Sequence, residues 1–210
     1  RDFISVGRKN LVINGDVRVA QKGTSADTGS SLVAKSADMF KLMSNNTDTN
    51  SNQQSTSSTD EPWKYGFRKY LRVTNGTITY ATSSWRELDM PIEAQDVANS
   101  GWVISDGNSY ATLSFWVRSS VSQKFFMYLR CVDGTTKSYT FGFETIANQW
   151  VKVEHTIPGD PSLTVDNDTG LGFLIRFVIH YGTSYTGSSC AEEVWRVTGS
   201  DYTPDSSNKW

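Results

Sequence analysis

The feature that most constrains this chain is a succession of short β-branched and aromatic segments, mostly alternating in polarity, with turn chemistry between them. They are Leu11–Ile13, Val17–Gln21, Met39–Met43, Tyr70–Thr74, Ile78–Thr82, Leu88–Ile92, Ala111–Arg118, Phe125–Val132, Ser138–Phe143, Trp150–Ile157, Gly172–Tyr181 and Val194–Val197. Alternation sends successive side chains to opposite faces of a strand, so each segment offers one face to a core. Asn14-Gly15-Asp16, Asn75-Gly76, Asp106-Gly107-Asn108, Asp133-Gly134, Pro158-Gly159-Asp160 and Thr169-Gly170 supply the reversals, because Gly and Asx residues tolerate the backbone that tight turns require. Strands so spaced predict an all-β fold, a two-sheet antiparallel β-sandwich. At 210 residues the chain suits a single domain over 1–210. Only Glu93–Asn99 reads as helical, a turn or two stopped by Gly101 that needs the sheet to pack against. Ser44–Asp60 is nearly all Ser, Thr, Asn, Gln and Asp and is predicted to be a mobile loop, since it buries too little to offset its ordering entropy.

Charge narrows the partners. Charged residues make up 20% of the chain and the formal net charge is -2, so there is no basic field to attract nucleic acid or an anionic membrane. Aromatics reach 12%, with seven Trp, beside abundant Ser, Thr, Asn and Gly. Flat apolar rings next to neutral hydrogen-bonding groups are what a sugar surface needs. Cys131 and Cys190 are the two cysteines; free thiols are favoured over a bridge, and no disulfide framework carries the fold. Apolar runs such as Phe125–Leu129 are far too short to span a bilayer. Beginning on Arg1 and ending on Trp210 amid a strand-rich pattern, the chain reads as a fragment of a longer one.

Motifs in order then become recognisable. Asn10-Leu-Val-Ile-Asn-Gly-Asp16 with Ala20-Gln-Lys-Gly-Thr24 resembles the opening of a domain recurrent in bacteriophage tail-fibre and virion proteins. Ala37–Leu42, Glu61–Val73, Ile92–Val97, Ala111–Arg118 and Trp150–Pro158 are similar to later parts of that domain, so the resemblance covers most of the chain. The opening also looks like that of jelly-roll carbohydrate-binding modules. The resemblance implies a non-catalytic module on a virion fibre that binds a cell-surface glycan or polysaccharide, with other fibre subunits, in a homotrimer, as further partners. A purely structural spacer or trimerisation domain is the alternative, and a polysaccharide depolymerase ranks last. The family's final apolar strand is absent after Trp210, whereas Thr198–Pro204 resembles the loop before it, so a sheet is expected to lack an edge strand.

The candidate ligand face follows from alternation. Trp116 shares a strand face with Thr112, Ser114 and Arg118; Tyr128 with Phe126 and Arg130; Arg176 and His180 with Leu174 and Val178. If these strands are neighbours, Trp116, Tyr128, Arg130, Arg176 and His180 line one groove in which rings stack on a pyranose and guanidinium and imidazole groups bond its hydroxyls. The competing reading puts Trp116 and Tyr128 under a covering loop, or makes them a second packing layer past which the Arg stems reach to solvent. Trp63, Trp85 and Trp102, beside Pro, Ser or Gly, are rival platforms at the rim. Asn14, Asp16, Asp166 and Asp168 are candidate oxygen ligands for a structural Ca²⁺, against the commoner use of such sequences as turns. No nucleophile, zinc or phosphate-loop motif surrounds His155 or His180. Glu144/Glu154 and Glu192/Glu193 are the carboxylate pairs to weigh for a glycosidase, and the consecutive pair is disfavoured because neighbours in a strand point to opposite faces.

Overall fold

A computed structural model of the protein describes residues 10–27, 33–45, 49–76 and 81–204. The chain forms β1 (Ser25–Asp27), β2 (Val33–Ala34), β3 (Lys41–Ser44), β4 (Thr49–Ser55), α1 (Glu61–Lys64), β5 (Lys69–Asn75), β6 (Trp85–Glu93) and α2 (Ala94–Ala98). It continues through β7 (Tyr110–Arg118), β8 (Lys124–Cys131), β9 (Lys137–Glu144), β10 (Trp150–Pro158), β11 (Leu171–Tyr181) and β12 (Trp195–Val197). The largest sheet has the order β12-β9-β8-β11-β6-β3, with the two-residue β2 beside β3. Two smaller sheets, β1-β4-β5 and β10-β7, accompany it, and every paired strand is antiparallel. The mostly-β antiparallel class expected from the sequence is thus observed, but with three sheets where two were expected.

One core joins the sheets. Met90 and Ile92 of β6, Met127 and Leu129 of β8, Phe141 of β9 and Phe173 and Ile175 of β11 are buried in one cluster. Leu113 and Phe115 of β7, Val153 and Ile157 of β10 and Leu71 of β5 belong to the same cluster, so the smaller sheets pack on the inner face of the large one. Each such side chain contributes roughly 1.5–3 kcal/mol on burial. Aromatic contacts lock the layers: Phe115 meets Phe143 and Phe177 edge-on with centroids 5.3 and 4.8 Å apart, and the Phe141 ring lies parallel to the His155 imidazole at 3.8 Å. Short α2 packs where expected. A Cβ added at Gly172 of β11 would come within 2.5 Å of the Ala94 Cα, so glycine lets the helix approach the sheet.

Several expectations are corrected. Leu11–Ile13 and Val17–Gln21 are not strands. The Asn14 side chain accepts from the Val19 N–H and donates to the Val19 and Asp38 carbonyls, taking up groups that a strand partner would need, and Asn14 and Val17 both have positive φ. Residues 44–60, expected to carry no structure, contain β4, which lies between β1 and β5 and buries Thr49 and Ser51. Its polar side chains hydrogen-bond inside the protein: Ser51 to Ser36, and Gln53 to the Val17 carbonyl at 2.6 Å. Of the expected strand Ile78–Thr82, residues 78–80 lie outside the described residues. Cys131 and Cys190 are free and buried; burial pushes the Cys131 thiol up to about 11.

Candidate functional site

The adjacent strands β8, β11 and β6 bring three of the predicted ligand residues together on the outer face of the large sheet. In the register Arg176 stands between Tyr128 and Asp89. Its guanidinium donates to both Asp89 oxygens at 2.6 Å, to the Tyr128 hydroxyl at 2.9 Å, and reaches Glu87 Oε1 at 2.9 Å. Tyr181 donates to Glu87 Oε2 at 2.5 Å and its hydroxyl lies 3.0 Å from that of Tyr128. Arg130 lies beside the Tyr128–Tyr202 ring pair, its guanidinium 5.3 Å from the Tyr128 centroid and 5.2 Å from that of Tyr202. A loop closes this network from outside: the Tyr202 ring stacks on Tyr128 with centroids 5.9 Å apart, and the Tyr202 N–H donates to the Tyr185 carbonyl. Tyr128 and Tyr181 are buried. The face that alternation singled out is therefore covered; Arg176, Glu87 and Asp89 satisfy one another there, while the buried Arg130 Nε has no hydrogen-bond partner among the described residues.

Burial governs the chemistry of this network. It pushes the Glu87 carboxyl up to about 7, with Asp89 adding to the rise, while Arg176 and the Tyr181 hydroxyl pull the other way. Burial likewise raises the Tyr128 hydroxyl to about 12 and moves Tyr181 well above the usual tyrosine range. Burial alone would lower Arg176, yet the Asp89 hydrogen bonds and the neighbouring Tyr128, Glu87 and Asp89 charges hold it raised, so it stays protonated.

The Glu87 shift makes stability depend on pH. Its value is raised on folding, so the contribution is complete below the ordinary 4.5 and is lost as pH rises through about 7, roughly 3 kcal/mol in all. His155 slopes oppositely: burial lowers its value, so stability falls as pH drops through the ordinary 6.5. Wild type shows their sum; the difference from Glu87→Gln isolates the carboxyl. That difference is expected to change by roughly 3 kcal/mol between pH 4.5 and 8 in urea unfolding, and a flat difference would rule out the shifted Glu87.

Two predicted ligand residues lie elsewhere. The register of β11 on β6 shifts between Val178 and His180, so His180 stands opposite Arg86, whose Nε donates to Thr49 of β4. Glu87 and Asp89 point outward and Arg86 inward, and His180, 1% exposed, goes with Arg86. Trp116 is in the other layer, on the solvent side of β7 opposite Lys152 of β10. There Tyr65, 61% exposed, leans on the Trp116 ring at 5.3 Å and 42°, and the Lys152 Nζ lies 5.8 Å from the Tyr65 centroid. With Phe67, Phe115 and Ser114 these side chains line a hollow of about 260 Å³. Tyr65 and Phe67 were missed by the sequence reading. Their signal is the spacing Trp63-Lys-Tyr65-Gly-Phe67, in which Gly66 takes φ +92 and turns the chain directly after α1.

The rival tryptophans do not make open platforms. Trp63 lies under the Arg68 guanidinium at 3.8 Å, Trp85 packs beside Tyr128 and Tyr181, and Trp102 rests on Phe173 while donating to the Ser109 carbonyl. No group of three or more His, Cys, Asp or Glu side chains able to hold a metal ion occurs among the described residues. Of the candidate Ca²⁺ ligands, Asn14 is engaged by backbone groups, Asp16 pairs with Arg18, and Asp168 accepts from the Gly170 N–H. Asp166 lies in a loop tied to Asp133. Asn14 and Asp168 thus brace local turns, and Asp16 is held in an ion pair. Glu192 pairs with Lys124 at 2.8 Å and neither it nor Glu193 is in a strand. Glu144 ends β9, and Glu154 on β10 pairs with Lys152.

Together these features define a mostly-β antiparallel protein with one sealed ionic face and one open aromatic hollow. Comparison with protein-family models, curated proteins and solved structures gives no match to the chain.

Proposed function

We propose that the protein is a non-catalytic carbohydrate-binding module of jelly-roll type, carried by a bacteriophage tail fibre or virion protein and directed at a host-surface glycan. The observation that carries this reading is the Trp116–Tyr65 pair, two tilted rings at 5.3 Å on the solvent side of β7, with Ser114 and Lys152 at hand for hydroxyls. Rings so placed stack on the C–H face of a pyranose while polar groups beside them bond its edge. The phage setting comes from the ordered motifs alone. Repetition in a fibre turns weak single sites into avid binding.

The test is a glycan array probed with wild type, Trp116→Ala and Arg130→Gln. The reading expects a glycan bound by wild type and by Arg130→Gln, and bound about tenfold or more weakly by Trp116→Ala, equivalent to ~1.4 kcal/mol or more. Equal binding by Trp116→Ala, or binding lost only in Arg130→Gln, would overturn this site.

A further inference from the structure

The small two-stranded sheet has an unfinished side. Among the described residues β7 pairs only with β10 and β5 only with β4, and both strands border one open cleft of about 1600 Å³. Every residue from Tyr110 to Arg118 lines it, inward-pointing and outward-pointing alike, so the cleft runs along the backbone edge of β7. Its apolar lining includes Leu71 and Val73 of β5, Leu113 and Phe115 of β7, and Phe177 and Ile179 of β11. Two buried polar atoms of its lining residues, Asn75 Oδ1 and Trp150 Nε1, have no hydrogen-bond partner among the described residues.

We propose that this cleft receives one extended strand of a partner polypeptide of different sequence, which pairs with the free edge of β7 and turns an apolar side chain inward at every second position. An unpaired strand edge presents N–H and C=O groups at the repeat of a peptide backbone, and another backbone is the partner that matches them one for one. A sugar, with hydroxyls all round, would meet an apolar floor; a lipid chain would leave the edge unbonded. The nine residues of β7 span about 30 Å, which sets the length of the incoming strand. The edge strands β1, β12 and β2, of three, three and two residues, do not reach that far, and a second copy's β7, which does, would bring its Arg118 to a lining that already carries Lys69, Arg72 and Arg118. Lys69, Arg72 and Arg118 in the lining favour acidic or neutral residues on the outward positions of the guest. The cleft shares Ser114, Phe115 and Trp116 of β7 with the aromatic hollow, but the proposal uses the backbone edge of the strand and does not rest on the sugar reading.

Amide hydrogen exchange on the whole chain tests the proposal, with a nine-residue peptide as probe: valine at even positions, threonine between them and glutamate at both ends. In the free protein the β7 amides that point away from β10 are expected to exchange freely. The peptide slows them by about tenfold or more, and a version with proline at its centre, which removes a backbone donor, does not. Leu71→Asp weakens binding by about tenfold, whereas Tyr65→Ala, in the aromatic hollow but outside the cleft lining, leaves that protection in place even where it abolishes glycan binding. Edge amides already protected in the free chain, protection that grows with protein concentration without peptide, no slowing by the peptide, or equal slowing by the proline version would each overturn it. The first would mean a cleft filled from within, the second a cleft filled by a second copy.

Discussion

Replacing Arg176 with methionine is expected to cost about 3–5 kcal/mol of unfolding free energy near neutral pH. The guanidinium is the group between Glu87 and Asp89, whose side chains are 7% and 5% exposed. Without it Asp89 is left charged in a low-dielectric pocket and Glu87, no longer held down by the guanidinium, is driven to keep its proton, with hydroxyl donors among the described residues only on the Glu87 side. The loss has its own pH signature. At pH 5 Glu87 is protonated in wild type and variant alike and the Glu87–Arg176 attraction that wild type has at higher pH is gone, so the deficit of Arg176→Met against wild type should shrink as the solution is acidified. Urea unfolding at pH 5 and pH 8 reads both quantities, and a deficit below about 1 kcal/mol at both would mean that water reaches the cluster.

The second large effect is expected from Phe141→Ala, which should destabilise the protein by about 3–5 kcal/mol. Phe141 is 1% exposed and its ring lies on His155, so it links β9 of the large sheet to β10 of the small one. The same substitution lets water to the imidazole, and the depressed His155 titration should move back up toward its ordinary value. NMR titration of the His155 ring follows that directly. A destabilised variant with an unmoved His155 would mean that the layers close over the gap, as cores sometimes do.

How far this protein was legible in its sequence depended on whether a signal was local. Strands such as β7, β8, β10 and β11 follow from alternation, and α2 from a short run stopped by Gly101. β4 was not legible, because Ser, Thr, Asn and Gln carry no hydrophobic period; what orders it is pairing with β5 and bonds to distant backbone such as the Val17 carbonyl. The converse error at Val17–Gln21 came from apolar alternation overruled by the Asn14 side chain. For the site, alternation placed Tyr128, Arg130 and Arg176 on one face, and the structure brings them together. Which strands are neighbours is a property of topology, so Trp116 in a different sheet was beyond the pattern. His180 was assigned to the wrong face because the register shift after Val178 breaks the period that the assignment assumed. The sealing loop was invisible for a similar reason, since Tyr202 declares its role only once it stacks on Tyr128, with Tyr185 against Tyr202 and Tyr181.

That loop also gives the molecule a back and a front. It carries the chain to Thr203 and Pro204 against the outer face of the large sheet, whereas the Trp116 hollow opens on the solvent side of β7, with the whole core between them. A ligand that enters the hollow therefore meets none of the buried charges behind Tyr202.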